Sequence, residues 1–205
     1  MAADLMLIML DDASGDLRVH PRVAGYALAG ALLVELWWQG RLTVGDRQIA
    51  VVADQLLPGD ALLRRTLGCL LAAPDQVGVT SWIDAIATTA LDRVGDQLER
   101  AEFIRRVARR RGSVRFEAVD RQRVFWRPSR LLLMLGRQPT WPDIFLFALV
   151  DAAGLAEGLL AQAAYPPPPE RIRTLSAGLA QSYPGTVELV AVVRRLADRI
   201  AVAPR

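Results

Sequence analysis

Apolar residues recur along this chain at two periods. From Val23 to Gln39 nearly every position is apolar (VAGYALAGALLVELWWQ), with Glu35 the one acid. A helix that is hydrophobic all round belongs at the centre of a helical core, and Gly40 is placed to close it. Before it, Leu5–Leu10 is a short apolar run ended by Asp11-Asp12, and ASGD has turn chemistry. After it, Arg41–Val52 alternates and reads as a hairpin turning at Gly45-Asp46. Asp60, in Pro58-Gly59-Asp60, is placed to cap a helix running to about Ala72. Pro74–Gly78 is a loop, and Thr80 or Ser81 is placed to cap a helix through SWIDAIATTALDRV.

The second half reads the same way. Gln97–Arg111 is a basic helix ended by Gly112, and VRFEAVDRQRVFW alternates, predicting a second hairpin over Val114–Trp126 that turns near Asp120 and ends at Pro128. Ser129–Leu135 predicts a short helix and Pro139–Pro142 a break. Asp143–Ala164 predicts another core helix, AAYPPPPE an extended connector, and Glu170–Gln181 and Thr186–Val202 the last two helices. The expected fold is mainly α: one globular helical domain over 1–205 with two small β-hairpins.

Composition narrows the class. Apolar residues make up 52% of the chain, yet the longest apolar runs, Val23–Trp38 and Ile144–Ala156, each contain an acid and fall short of the roughly 20 residues a membrane span needs. No basic segment precedes the first apolar run, so no signal peptide is expected. Cys69 has no cysteine partner and sits in an apolar helix, which fits a reducing cytoplasm. All 25 basic residues are arginine. Residues 93–137 hold 13 of them against five acids, and the remainder holds 12 against 17. One region of an otherwise acidic molecule is thus suited to anions.

Candidate chemistry is sparse. His20 is the only histidine and lies far from Cys69 in the chain, so neither a nucleophile pair nor a metal site is expected. Asp11-Asp12 point in different directions, and Gly40-Arg41 and Gly59-Asp60 lack the further glycines of a phosphate loop. No catalytic constellation and no cofactor motif is found, and the chain is expected not to be an enzyme.

Five ordered signatures carry a resemblance: LMLIMLDDASGDL, ALAGALLVELWWQGRLTV, LPGDALLRRTL, SWID, and a basic segment passing through ARRRGSV into a hairpin. Further on, FLFALVDAAGLAEGLL matches a core helix. Over 4–160 the chain resembles the Golgi phosphoprotein 3 family, most closely its bacterial branch. The resemblance implies a peripheral membrane protein whose basic face binds phosphatidylinositol 4-phosphate. It also implies an apolar hairpin that enters the bilayer or joins two copies. The family's headgroup pocket uses a tryptophan and an arginine at the start of the long core helix, and two arginines on the later basic helix. His20 stands at the tryptophan position and Ala29 at the first arginine position, and the later pair falls near Leu98 and Ala101, with Arg100 beside them. The pocket as the family writes it is largely absent.

The substitute pocket read from the residues is Arg18, His20 and Arg22 facing Arg100, Arg105 and Arg106, with Arg109–Arg111 continuing the charge. Arg123, Phe125, Trp126 and Arg127 alternate cation and aromatic, which suits a bilayer interface or a pairing hairpin. The expected role is a peripheral binder of phosphoinositide or anionic phospholipid at the cytoplasmic face of a membrane. Homo-oligomerisation through the second hairpin stays open, and a client protein is not identified. The alternative is a winged-helix nucleic-acid binder, with Gln97–Arg111 as recognition helix and Val114–Trp126 as wing. A third reading is a scaffold that uses Trp37 and Trp38, or the hairpin, to pair with itself or with a client protein.

Overall fold

A computed structural model describes residues 1–52, 56–108 and 114–202. The fold is mainly helical, with two small antiparallel sheets. Its centre is helix α2 (Pro21–Trp38), which follows α1 (Ala2–Ile8). Pro21 occupies the first turn of α2, where a missing N–H costs nothing, and the His20 imidazole accepts from the Arg22 N–H at 3.2 Å as cap. All of α2 from Val23 to Val34 is buried, and its single acid, Glu35, is answered by the Ala2 N–H at 2.6 Å. The Asp11–Asp16 turn between α1 and α2 is tied by the Asp11 carboxylate, which accepts from Ala13 N at 3.1 Å and Ser14 N at 2.8 Å.

The first hairpin pairs β1 (Leu42–Gly45) with β2 (Gln48–Val51). Its turn lies at Asp46-Arg47, one residue later than the sequence predicts, and both residues have positive φ, as a type I′ turn requires. Helix α3 (Ala61–Ala72) is capped by Asp60, whose Oδ1 accepts from Leu62 N at 2.7 Å and Leu63 N at 3.0 Å. Helix α4 (Val79–Arg100) begins at Gly78, ahead of the expected Thr80 or Ser81 cap, and runs on through the residues assigned to the start of a separate basic helix.

That basic helix over 97–111 does not form. Helix α4 stops at Arg100 because Glu102 adopts a left-handed φ of 56°, while Phe103 N donates to Leu98 O and Glu102 N to Glu99 O. This is a Schellman ending with glutamate where glycine is usual, so no glycine marks it. Strand β3 (Ile104–Ala108) follows and pairs with β4 (Val114–Ala118). The second hairpin therefore spans 104–118, and Arg109–Arg111 and Gly112 lie outside the described residues. Asp120, expected at a hairpin tip, instead caps the short helix α5 (Arg121–Phe125), accepting from Arg123 N at 3.1 Å. Helix α6 (Arg127–Gly136) starts directly after it, with Pro128 in its first turn.

Helix α7 (Trp141–Ala152) takes Pro142 into its first turn, and its buried Asp143 is answered by Thr140 N at 3.0 Å, Thr140 Oγ1 at 2.7 Å and Arg130 at 3.5 Å. The expected 143–164 helix is split by Gly154 at a φ of 77°, again in a Schellman ending, leaving α8 (Ala156–Ala161) as a separate turn. Helices α9 (Pro169–Ser182) and α10 (Pro184–Val202) complete the chain close to their predicted bounds. α1, α4, α7 and α10 surround α2. Two glycines allow the closest approaches: a Cβ on Gly25 would stand 2.7 Å from the Ala87 carbonyl oxygen of α4, and one on Gly30 would stand 2.7 Å from a Val193 methyl of α10.

Glycine substitutions separate packing from propensity. Gly25→Ala is expected to destabilise by about 1–3 kcal/mol, because the new methyl meets backbone. Gly68→Ala, with nothing within 4 Å, is expected to stabilise by about 0.5–1 kcal/mol. Urea midpoints of the two variants would read both signs. The Asp11 turn predicts a pH dependence. Backbone N–H donation, from Ser14 above all, holds its carboxyl below the ordinary 3.8. The stability it adds is therefore complete above pH 3.8 and is lost as pH falls through the lowered value. Urea midpoints of the native chain and of Asp11→Ala should differ at pH 7 and converge in strong acid.

Candidate functional site

Arg106 shows how the hairpin uses its cations. It faces α4, and its guanidinium lies over Gly95, where a Cβ would approach to 2.6 Å. There it binds the Asp96 carboxylate and the Asp92 carbonyl, stands 3.8 Å from Glu99, and sits 6.0 Å from the Phe116 ring centroid. Arg106 is thereby committed to holding the hairpin on the helix. Arg105, its neighbour on the opposite face of β3, is exposed and stands opposite Glu117 in the strand register.

The N-terminal trio is partly committed as well. Arg18 donates from Nε to the Leu10 carbonyl at 3.1 Å and from Nη1 to Gln162 at 3.2 Å, and it stands 3.6 Å from Asp12. His20 is the helix cap described above. His20 and Arg22 line a cleft between the start of α2, the end of α7 and α10, whereas Arg100 lines another cleft between α3 and α4. The expected single pocket of Arg18, His20 and Arg22 facing Arg100, Arg105 and Arg106 is thus divided between separate places. Its premise was a continuous helix through 97–111, which would have carried Arg100, Arg105 and Arg106 together.

The α3–α4 cleft, about 210 Å³ in volume, joins the expected Arg100 to two cations the sequence reading passed over, Arg65 and Arg93. Arg65 comes from α3, and Arg93, Gln97 and Arg100 come from one face of α4. Asp96 also lines it but is bound by Arg106. The Arg100 Nε donates to the Asp96 carbonyl at 3.1 Å, and among the described residues its terminal nitrogens have no partner. Gln97 Nε2 donates to Asp60 Oδ2 at 2.6 Å, tying the cap of α3 to the cleft wall. Arginines from two elements converging on one small opening match the forked donors a phosphate group needs. The 93–97–100 spacing, one face of a helix, was the available signal.

The residues expected on a hairpin tip form a helical surface instead. Phe125 packs partly into the core, while Trp126, between α5 and α6, is 49% exposed. Arg123 stacks 4.0 Å from the Phe103 ring centroid, and Arg121 lies 5.4 Å from that of Phe125. Arg127 turns inward to bind Asp4 and stands 5.4 Å from the Phe103 centroid. Burial first, and the charge of Arg130 second, lower its pKa from the usual arginine value. Trp126, Arg130, Leu133 and Arg137 follow one another at helical spacing, and Trp126, Leu133 and Arg137 are exposed. This face adjoins the end of α4 through Phe103, three residues beyond Arg100. The helix and wing of the nucleic-acid alternative, 97–111 and 114–126, are absent as drawn, because 104–108 is strand and 121–125 is helix.

Compared with protein families, residues 1–198 match Golgi phosphoprotein 3 (GPP34). The chain belongs to the Golgi phosphoprotein 3 family. No curated protein matches it. Among the described residues no helix is long and apolar enough to cross a membrane. In this member of the family Ala29 is wholly buried, His20 serves as a helix cap, and the arginine-lined opening lies between α3 and α4.

Because Arg106 is enclosed and Arg105 is not, their replacements should part. Arg106→Gln is expected to lower stability by about 1 kcal/mol, and Arg105→Gln to leave it within about 0.5 kcal/mol. Chemical denaturation of the two single variants checks the assignment.

Proposed function

We propose that this protein is a peripheral membrane protein that docks on phosphate-bearing lipid, with phosphatidylinositol 4-phosphate or a similar phosphomonoester headgroup entering the α3–α4 cleft. The convergence of Arg65, Arg93 and Arg100 on that cleft carries the reading. Its volume of about 210 Å³ is below the ~300–1,000 Å³ usual for a whole small-molecule ligand, and suits a headgroup whose chains remain in the bilayer. Membership of the Golgi phosphoprotein 3 family supports the same reading.

The α5–α6 face supplies the second contact. Trp126 presents an exposed amphipathic ring of the kind that favours a membrane interface, and Arg123 lines the same hollow. Each arginine near an anionic surface adds about 1 kcal/mol. The attraction is screened within a Debye length of about 8 Å at physiological salt, so binding is salt-sensitive.

Flotation with phosphatidylcholine vesicles, with and without phosphatidylinositol 4-phosphate, tests the assignment. The Arg65→Gln/Arg93→Gln/Arg100→Gln variant is expected to lose affinity for the phosphoinositide vesicles by about 100-fold, at roughly 1 kcal/mol per arginine. Trp126→Ala should weaken binding to every anionic vesicle alike. Undiminished flotation of the folded triple variant would remove the cleft from the reading.

A further inference from the structure

Away from the arginine cleft, two larger clefts lie side by side along α10. The first, about 560 Å³, is bordered by α7, α8, α9 and α10, and its lining is mostly apolar (Phe147, Ala148, Leu160, Ile172 and Val190 among it), with Glu157 and Ser176 as further polar members. The second, about 580 Å³, is the one at the start of α2, with Val23, Ala152, Ala153 and Ala197 beneath and His20, Arg22 and Asp198 at its sides. Both volumes fall within the ~300–1,000 Å³ of ligand sites. Asp151 and Arg194, bound to one another, line both. On α10 the shared wall is Val187, Val190, Arg194, Ala197 and Ala201, a stripe at alternating spacings of three and four. The clefts are therefore neighbours on one helix face, one greasy and one mixed.

The charges define what fits. Asp151 and Arg194 satisfy each other. Among the described residues neither Arg22 nor Asp198 belongs to an ion pair, and both are exposed in the second cleft. That cleft thus offers one cation and one anion above an apolar floor. A fatty acid would answer Arg22 and leave a carboxylate facing Asp198. A headgroup carrying both a phosphate and an ammonium answers both. The first cleft, with its mostly apolar lining, suits a hydrocarbon chain. Its outer wall, α9, buries Leu179 and packs Ile172 and Leu175 partly against the core.

We propose that these paired clefts bind a single-chain phospholipid with a zwitterionic headgroup, of the lysophosphatidylethanolamine type. The acyl chain lies between α7 and α10, the phosphate meets Arg22, and the ammonium meets Asp198. The Asp151–Arg194 pair marks the junction of chain and head. This inference is separate from vesicle docking, since neither cleft shares a lining residue with the α3–α4 opening.

The test titrates the full chain with monomeric lysophosphatidylethanolamine, lysophosphatidylglycerol and palmitate, below their micelle concentrations, by calorimetry and native mass spectrometry. One lysophosphatidylethanolamine per chain is expected, bound more tightly than either competitor. Ala148→Phe, which fills the greasy cleft, should weaken it about tenfold. Ile172→Gln, on the outer wall, should also weaken it and guards against a packing failure of the first variant. Asp198→Asn should lose about fivefold for lysophosphatidylethanolamine while palmitate binds no more weakly than before. Vesicle flotation of the three variants should match the native chain. The proposal is overturned by non-saturable binding, by equal affinity for palmitate, by indifference to both cleft substitutions, or by displacement with an amphipathic helical peptide in place of the lysolipid.

Discussion

The whole architecture rests on burying a helix that has no polar side. From Val23 to Val34 helix α2 is enclosed, so every neighbouring element must bring an apolar face to it. Such a helix gains nothing from water on any side, and the surrounding helices α1, α4, α7 and α10 are placed by that demand. The close approaches are made at glycine: Gly25 lies against the backbone of α4, and Gly30 against Val193 of α10 and Leu149 of α7. Side chains there would push the walls outward and open voids that dense cores do not tolerate.

With the core fixed in this way, the cations are sorted by what lies beneath them. Arg106 and Arg127 each reach a carboxylate on another element and fasten the hairpin and α6, and Arg18 ties its own turn through the Leu10 carbonyl and Asp12. Their charge is spent inside the molecule. Arg65, Arg93 and Arg100 line an opening instead, and Arg121 and Arg123 stack on aromatic rings beside the exposed Trp126. Both uses exploit the planar guanidinium, which binds carboxylate edge-on and ring faces flat. A count of arginines in a segment therefore overstates the charge that a ligand meets.

Much of the fold was legible from residue pattern because its core helices depart so far from ordinary amphipathicity. The all-apolar α2, the Asp60 cap of α3 and the Gly40 ending all appeared where the sequence places them. The failures fall where a helix end lacks its usual residue or gains an unremarked one. Glu102 takes a left-handed conformation without being glycine, so the pattern joins the last turn of α4 and β3 into one basic helix. Gly154 ends α7 inside an apolar run that reads as continuous. Asp120 has the composition of a turn, and here it caps a helix. The site suffered from the first of these errors: with 97–111 drawn as helix, Arg105 and Arg106 were grouped with Arg100, and Arg65 and Arg93 were overlooked.

The enclosure of α2 has a consequence during synthesis. Its contact with α10 joins Gly30 to Val193, so the last wall of the core leaves the ribosome about 160 residues after the helix it covers. At roughly 5–20 residues per second, this all-apolar helix waits on the order of 8–30 s for that cover. Throughout this interval the side of α2 that will meet α10 has no native partner in place.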